Sequence, residues 1–76
     1  MTAKIRVKGN MWVYKKDLKK IYIHNEDFTQ RVFYQTKNNN LIVRFSTFTF
    51  LEYRLLNKKD KKIFDSRYKF LKHNQL

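Results

Sequence analysis

The feature that most constrains the fold is a stretch of alternating side chains from Phe28 to Phe50, FTQRVFYQTKNNNLIVRFSTFTF. Residues typical of strands flank a run of asparagines, and this pattern predicts two antiparallel strands joined by a turn. We expect Asn38 and Asn39 at or near the tip of that turn, which fixes the strand register. The predicted cross-strand pairs are Thr36 with Leu41, Tyr34 with Val43, and Val32 with Phe45.

This register predicts two faces of different chemistry, because successive side chains of a strand point to opposite sides. The apolar face is expected in the core and consists of Val32, Tyr34, Leu41, Val43 and Phe45. The other face mixes arginine, aromatic and amide groups and consists of Arg31, Phe33, Gln35, Ile42, Arg44 and Ser46. We interpret the mixed face as the candidate binding surface.

The segment Lys4 to Lys15 predicts a second hairpin, with Gly9-Asn10 as a two-residue turn. Pairing of Lys8 with Met11 would place an apolar group inside, made of Ile5, Val7, Trp12 and Tyr14. The outward side chains would be Lys4, Arg6, Lys8, Met11, Val13 and Lys15. A third strand is expected over Lys19 to His24, followed by a turn at 25–27.

The residues from Ser46 to Leu56 fit a strand or a helix, and their aromatic and threonine content favours a strand. A helix is predicted to start with Asn57 as its N-cap and Asp60 near its positive end. Its apolar stripe comprises Ile63, Phe64, Tyr68, Phe70 and Leu71.

Together these elements predict one domain over residues 1–76 of the α+β class, mainly β. The expected architecture is an antiparallel meander of about five strands with the C-terminal amphipathic helix packed on one face. A small, partly open barrel capped by the helix is the alternative.

The charge of the chain indicates an acidic partner, because 18 Lys and Arg stand against 6 Asp and Glu, a formal net charge of +12. Nucleic acid is the first candidate and an acidic protein surface the second. No apolar run approaches the roughly 18 residues of a membrane span, so we expect no membrane attachment. The chain has no cysteine, and its start lacks the apolar middle of a secretory signal, so a cytoplasmic location is expected.

No catalytic, metal or cofactor motif stands in the sequence, and we expect a protein that is not an enzyme. The segment from His24 to Asp27 brings an imidazole near two carboxylates, but a polar turn after a strand is the favoured interpretation. His24 and His73 do not form a ligand motif, and one glycine cannot build a phosphate-binding loop.

Our first functional hypothesis is a small nucleic-acid-binding protein that uses the mixed sheet face. Aromatic rings stack on bases, and arginine both stacks and binds phosphate, so Arg31, Phe33 and Arg44 are the predicted contacts. Tyr22 and Lys20 would extend this surface. A separate basic cluster at the helix start, Lys58, Lys59, Lys61 and Lys62, would add non-specific affinity. The structural alternative is that Phe33 and Ile42 are covered by something else, for instance by the other hairpin or by a second copy in a homodimer.

The second hypothesis is a modulator or inhibitor that binds a larger host protein or nucleic-acid enzyme. Small size, abundant Asn and Lys of the kind found in AT-rich phages and mobile elements, and 17% aromatic residues motivate it. Aromatic residues supply the anchors of protein interfaces.

Overall fold

The described part of the chain forms one six-stranded mixed sheet with a single C-terminal helix. The computed structural model describes the backbone of residues 3–73 and the side chains of residues 3–68. The strands are β1 Lys4–Val7, β2 Met11–Tyr14, β3 Lys19–Glu26, β4 Thr29–Gln35, β5 Leu41–Ser46 and β6 Leu51–Leu55, followed by helix α1, Lys58–His73. A 3-10 turn, Lys15–Asp17, connects β2 to β3. Among the described residues, no helix is both long and apolar enough to cross a membrane.

The strand order is β2-β1-β6-β5-β4-β3, and β1 runs parallel to β6. The predicted five-stranded antiparallel meander is therefore approximately right, but the sheet has six strands and is mixed. The undecided segment after Ser46 is a strand, because Thr47 N–H donates to the Phe50 carbonyl over 2.8 Å and closes a turn that returns the chain as β6. This sixth strand inserts between the first hairpin and β5.

The sheet is strongly curled, since the chain passes from one of its edges to the other within a few residues. The edges are β2 and β3, and the connection from Tyr14 to Lys19 can span at most about 18 Å. Six strands laid flat would separate these edges by roughly 24 Å. The sheet thus resembles part of a barrel but is not closed. The connection borders a cavity together with Tyr34, Arg44 and Tyr53, so the face that carries these three residues is concave, and α1 packs on the opposite, convex face.

The register of β4 and β5 differs by one residue from the predicted register. Gln35 pairs with Leu41, so the loop holds residues 36–40. Thr36 Oγ1 accepts a hydrogen bond from Asn40 N–H over 3.0 Å, and Asn39 takes a positive φ of 66°. This side-chain-stabilised loop is one residue longer than the predicted one, and a one-residue slip moves every side chain of one strand to the other face.

The β1–β2 hairpin is shifted in the same manner. Val7 pairs with Met11 across a loop of Lys8, Gly9 and Asn10, where Gly9 has a φ of 102° and Asn10 a φ of 63°. The predicted inner group of the first hairpin is therefore wrong in part: Met11 and Val13 share the concave face with Ile5 and Val7, whereas Trp12 and Tyr14 point to the convex side with Lys4 and Arg6.

Helix α1 covers β3, β4 and β5 on the convex face. Phe33, Val43 and Phe64 form the buried cluster, in which the Phe33 and Phe64 ring centroids lie 5.1 Å apart. Ile63 and Tyr68 pack against it, as the predicted helical stripe requires. The side chains of Phe70 and Leu71 lie outside the described residues. A second buried group, Val7, Val32 and Ile42, lines the concave face.

Both predictions for the helix start are confirmed. Asp60 N–H donates to Asn57 Oδ1 over 2.8 Å, and Asn57 N–H donates to Asp60 Oδ2 over 3.0 Å. This reciprocal pair has the geometry of a capping box, with Asp in place of the usual Glu or Gln.

Candidate nucleic-acid interface

The three residues predicted as the central contacts do not share a face. In the observed register, Val32 is paired with Arg44, and Arg31 is paired with Phe45. Arg31 and Phe33 consequently point to the convex face, beneath α1, while Arg44 points to the concave face. The mixed face that the sequence predicted is wrong, because it depended on a register shifted by one residue.

Phe33 is completely buried, and its place is in the core rather than on a stacking surface. The ring of Tyr22 stacks on it with the two centroids 5.9 Å apart, so half-buried Tyr22 is a packing residue on the same face. The structural alternative raised from the sequence, in which another element covers Phe33, is what occurs here. The covering element is α1.

Arg31 is buried in an ion pair. Its Nε donates to Asp60 Oδ1 over 2.9 Å, and Arg54 Nη2 donates to the same carboxylate over 3.1 Å. Both guanidinium groups lie 4.9 Å from the centroid of the Phe45 ring. The two guanidinium groups, the Phe45 ring and the Asp60 carboxylate form a structural cluster. This cluster holds α1 against β4 and β6.

The residues around His24 belong to β3 rather than to a turn, and the turn consists of Asp27 and Phe28. His24 Nε2 lies 3.0 Å from Glu26 Oε1. A hydrogen bond from His24 is the largest cause that lowers the pKa of Glu26, with smaller contributions from the charges of His24, Lys59 and Arg31 and an opposing one from desolvation. Within residues 3–68, no cluster of three or more His, Cys, Asp or Glu is placed to hold a metal ion.

The predicted lysines all reach solvent. Lys20 is exposed near the start of β3 and, as the partner of Tyr34, points to the concave face. The cluster at the helix start is also exposed and consists of Lys58, Lys59, Lys61 and Lys62. These four lysines flank the buried Asp60 in the sequence, whereas the partners of its carboxylate are Arg31, Arg54 and Asn57.

A basic and aromatic surface does exist, on the convex side of the first hairpin. We define the hairpin platform as Lys4, Arg6, Trp12, Tyr14 and Lys16. Trp12 is 59% exposed and Tyr14 is 43% exposed. Arg6 is paired with Trp12 across the two strands, and the Nζ atoms of Lys4 and Lys16 lie 5.7 and 6.0 Å from the Tyr14 ring centroid.

Sequence reasoning missed the platform because all four residues of β2, MWVY, are apolar or aromatic. Alternation alone therefore did not decide which pair faces inward. Gly9 and Asn10 gave no signal that separates the two loops, since both residues suit a two-residue turn and a three-residue loop is the next most common hairpin connection. That loop turns Trp12 and Tyr14 outward.

Comparison with protein-family models, with curated protein sequences and with solved structures found no match.

Proposed function

We propose that this protein binds single-stranded nucleic acid, without catalysing a reaction on it, through the hairpin platform. The observation that carries the proposal is a tryptophan that is 59% exposed in the middle of a paired strand, opposite an arginine. An exposed aromatic ring loses the free energy that its burial would contribute to folding. Such a ring is well suited to stack on an unpaired base.

The spacing within the platform supports a strand laid along β2. Trp12 and Tyr14 lie on the same face two residues apart, which separates their positions by about 6.8 Å. Successive bases of an extended single strand can then stack on the two rings, and stacking is indifferent to base identity. Because β2 is an edge strand, neither ring has a neighbouring strand on its outer side.

The charges of the platform supply the attraction for phosphate groups. Lys4, Arg6 and Lys16 are exposed around the two rings, and the formal net charge of +12 favours approach of a polyanion from any direction. The exposed lysines at the start of α1 add sequence-independent affinity of the same kind.

Fluorescence anisotropy with labelled single-stranded DNA, single-stranded RNA and duplex DNA tests the proposal. Trp12→Ala should weaken single-strand binding by about 5- to 150-fold, the range expected for loss of one stacked base. Phe48→Ala is the matched control, because this side chain is 86% exposed but lies in the turn between β5 and β6 rather than in β2. Equal affinities of Trp12→Ala and wild type for single strands would refute the platform.

The salt dependence provides a second readout. Three neutralised phosphates predict a slope of log affinity against log salt of about −2 for single strands, and Arg6→Gln should reduce its magnitude by about 0.7. Binding that does not respond to salt would exclude the phosphate contacts.

A second candidate function, a modulator that docks on another protein, is favoured by a different observation. Phe28 and Phe48 are 70% and 86% exposed, and their ring centroids lie 5.8 Å apart. The cavity beside them is lined by residues 25–30 and 46–48, which include two acids and no Lys or Arg. A surface with exposed aromatic rings, two acids and no Lys or Arg suits an apolar protein contact rather than a polyanion.

Sedimentation equilibrium of wild type and the double variant Phe28→Ser/Phe48→Ser tests this candidate for self-association. A dimer that the double variant abolishes would identify a second copy as the partner. If wild type is monomeric, a protein that wild type captures in pull-downs should also be captured by Trp12→Ala. The double variant should no longer capture it. A partner retained equally by both variants would argue against the phenylalanine pair.

A further inference from the structure

The concave face encloses a cavity of about 320 Å³ beside the β2–β3 connection. The residues that line it are Ile5, Lys15, Leu18, Lys20, Tyr34, Arg44 and Tyr53. The register explains their convergence, because Lys20 is paired with Tyr34 and Arg44 with Tyr53, so side chains from β3, β4, β5 and β6 point to one side. Curling of the sheet turns this row into a cavity, and the connection from Lys15 to Leu18 borders it.

The lining is unusual in its charge. All seven residues lie in the described part of the chain, and they include three cations and no carboxylate. The other two arginines of the sheet interior, Arg31 and Arg54, share the carboxylate of Asp60. Arg44 has the Gln30 side chain instead, to which its Nη2 donates over 3.3 Å. Three like charges facing one cavity repel each other, and an anion between them removes that repulsion.

Arg44 also has a donor that nothing in the described chain satisfies. Its Nε atom is buried and has no hydrogen-bond partner among the described residues. An unsatisfied buried donor is costly, and a charged one more so, so the guanidinium of Arg44 is less well satisfied than those of Arg31 and Arg54. A guanidinium carries several donors in one plane, and this geometry matches two oxygens of one phosphate.

The two tyrosines complete a site suited to an oxyanion. The ring centroids of Tyr34 and Tyr53 lie 6.2 Å apart. Desolvation raises the pKa of Tyr34 above its usual value, against a smaller lowering by the charge of Arg44. The Tyr34 hydroxyl therefore stays protonated at neutral pH and can donate a hydrogen bond.

We infer that this cavity is a binding site for a phosphate group, with Arg44 as the central ligand and Lys15 and Lys20 as flanking cations. The group is carried by inorganic phosphate, by a nucleoside phosphate, or by the 5′ end of a nucleic-acid strand. The recessed position of the cavity beside the β2–β3 connection favours a terminal group over the continuous backbone. The inference does not depend on the hairpin platform, because the cavity lies on the opposite face of the sheet.

Titration calorimetry on the whole chain tests the site, with inorganic phosphate, adenosine 5′-monophosphate and adenosine as probes. Arg44→Gln should weaken phosphate binding by about 10- to 100-fold, since it removes a charged, bidentate contact. Lys20→Gln should weaken it by about 2- to 5-fold, as expected for an exposed cation. Lys8→Gln changes an exposed cation outside the cavity and should leave the affinity unchanged.

Lys20→Gln keeps the test decisive if Arg44→Gln does not fold, because Lys20 is exposed. The side-chain Nε–H resonance of Arg44 in a nitrogen-edited NMR spectrum gives an independent readout on wild type, and it should shift when phosphate is added. A 5′-phosphorylated oligonucleotide compared with its 5′-hydroxyl form distinguishes a strand end from a free nucleotide.

The site would be supported if the protein prefers inorganic phosphate, the nucleotide or the phosphorylated oligonucleotide. The preferred probe would identify the molecule that carries the phosphate group. Three results would overturn it: no phosphate binding by wild type, equal weakening by Lys20→Gln and Lys8→Gln, or an Arg44 resonance that phosphate does not move.

Discussion

Arg31 Nε donates a hydrogen bond to Asp60 Oδ1 over 2.9 Å, and this buried pair joins two residues that lie 29 positions apart in the chain. The same carboxylate accepts from Arg54 and from the Asn57 backbone N–H. One side chain thus caps α1 and fixes the helix to two strands. A buried ion pair is tolerated when further hydrogen bonds satisfy its oxygens, and the carboxylate of Asp60 accepts from three groups.

Asp60→Ala should lower the free energy of unfolding by about 3–5 kcal/mol, because it leaves Arg31 buried without a carboxylate. The free energy of unfolding of a domain of this size is roughly 4–11 kcal/mol, so the variant should be at the limit of folding. Urea denaturation followed by circular dichroism measures the change. Asp65→Ala, at an exposed position on the same helix, is the control and should change the stability by less than about 0.5 kcal/mol.

Phe33 and Trp12 should respond in opposite ways to substitution. Phe33→Ala removes a completely buried ring and should cost about 3–5 kcal/mol of stability. Trp12→Ala should leave the stability nearly unchanged while it weakens nucleic-acid binding. Phe33→Leu keeps most of the volume and should bind single strands like wild type. If Phe33→Leu folds and loses affinity, the contact surface lies on the helix-covered face after all.

Gly9 should be the most sensitive position of the first hairpin loop. Its φ is 102°, and an added Cβ would meet no atom within 4 Å, so the cost of Gly9→Ala comes from the backbone alone. We expect a loss of about 1–2 kcal/mol in thermal or urea unfolding. Asn10→Gly, at a φ of 63°, should be neutral or stabilising. A neutral Gly9→Ala would contradict the positive φ of this residue.

Glu26 should titrate below the ordinary glutamate pKa of 4.5. Because the folded value is lowered, the contribution of Glu26 to stability is present above the unfolded pKa and disappears as the pH falls through the folded one. His24→Ala should raise the pKa of Glu26 towards the ordinary value. Carboxyl-detected NMR titration measures both proteins. Asn25→Ala, on the same strand but with its side chain on the opposite face, should leave the Glu26 titration unchanged.

Local patterns in the sequence were sufficient to predict the helix. Asn57 and Asp60 form the cap, and Phe64 faces the core, because all three depend on spacing within a few residues. What spacing could not reveal is that the carboxylate of Asp60 lies under two arginines from distant strands. That role depends on tertiary contacts that no local window contains.

The candidate site was harder to predict than the strands, because it depended on register. The strands β1 to β5 were recognised, but both hairpin loops are one residue longer than expected. In β4 the consecutive residues Arg31, Val32 and Phe33 are all buried, so both faces of this strand are covered. The alternation of polar and apolar residues therefore cannot distinguish the two registers. Loop chemistry at Gly9 and Thr36 decided which aromatic rings reach solvent.

The parallel pairing of Val7 with Tyr53 has a consequence for synthesis on the ribosome. These partners are separated by 46 residues, which take about 2 to 9 s to translate at 5–20 residues per second. During that interval β1 has a partner only in β2, and its other edge is open to strands of neighbouring nascent chains. Lys4 and Arg6 place positive charge along β1 beside that open edge, and charged edges resist intermolecular pairing. We therefore expect the two residues that we propose as phosphate contacts in the folded protein to protect the unfinished chain from aggregation as well.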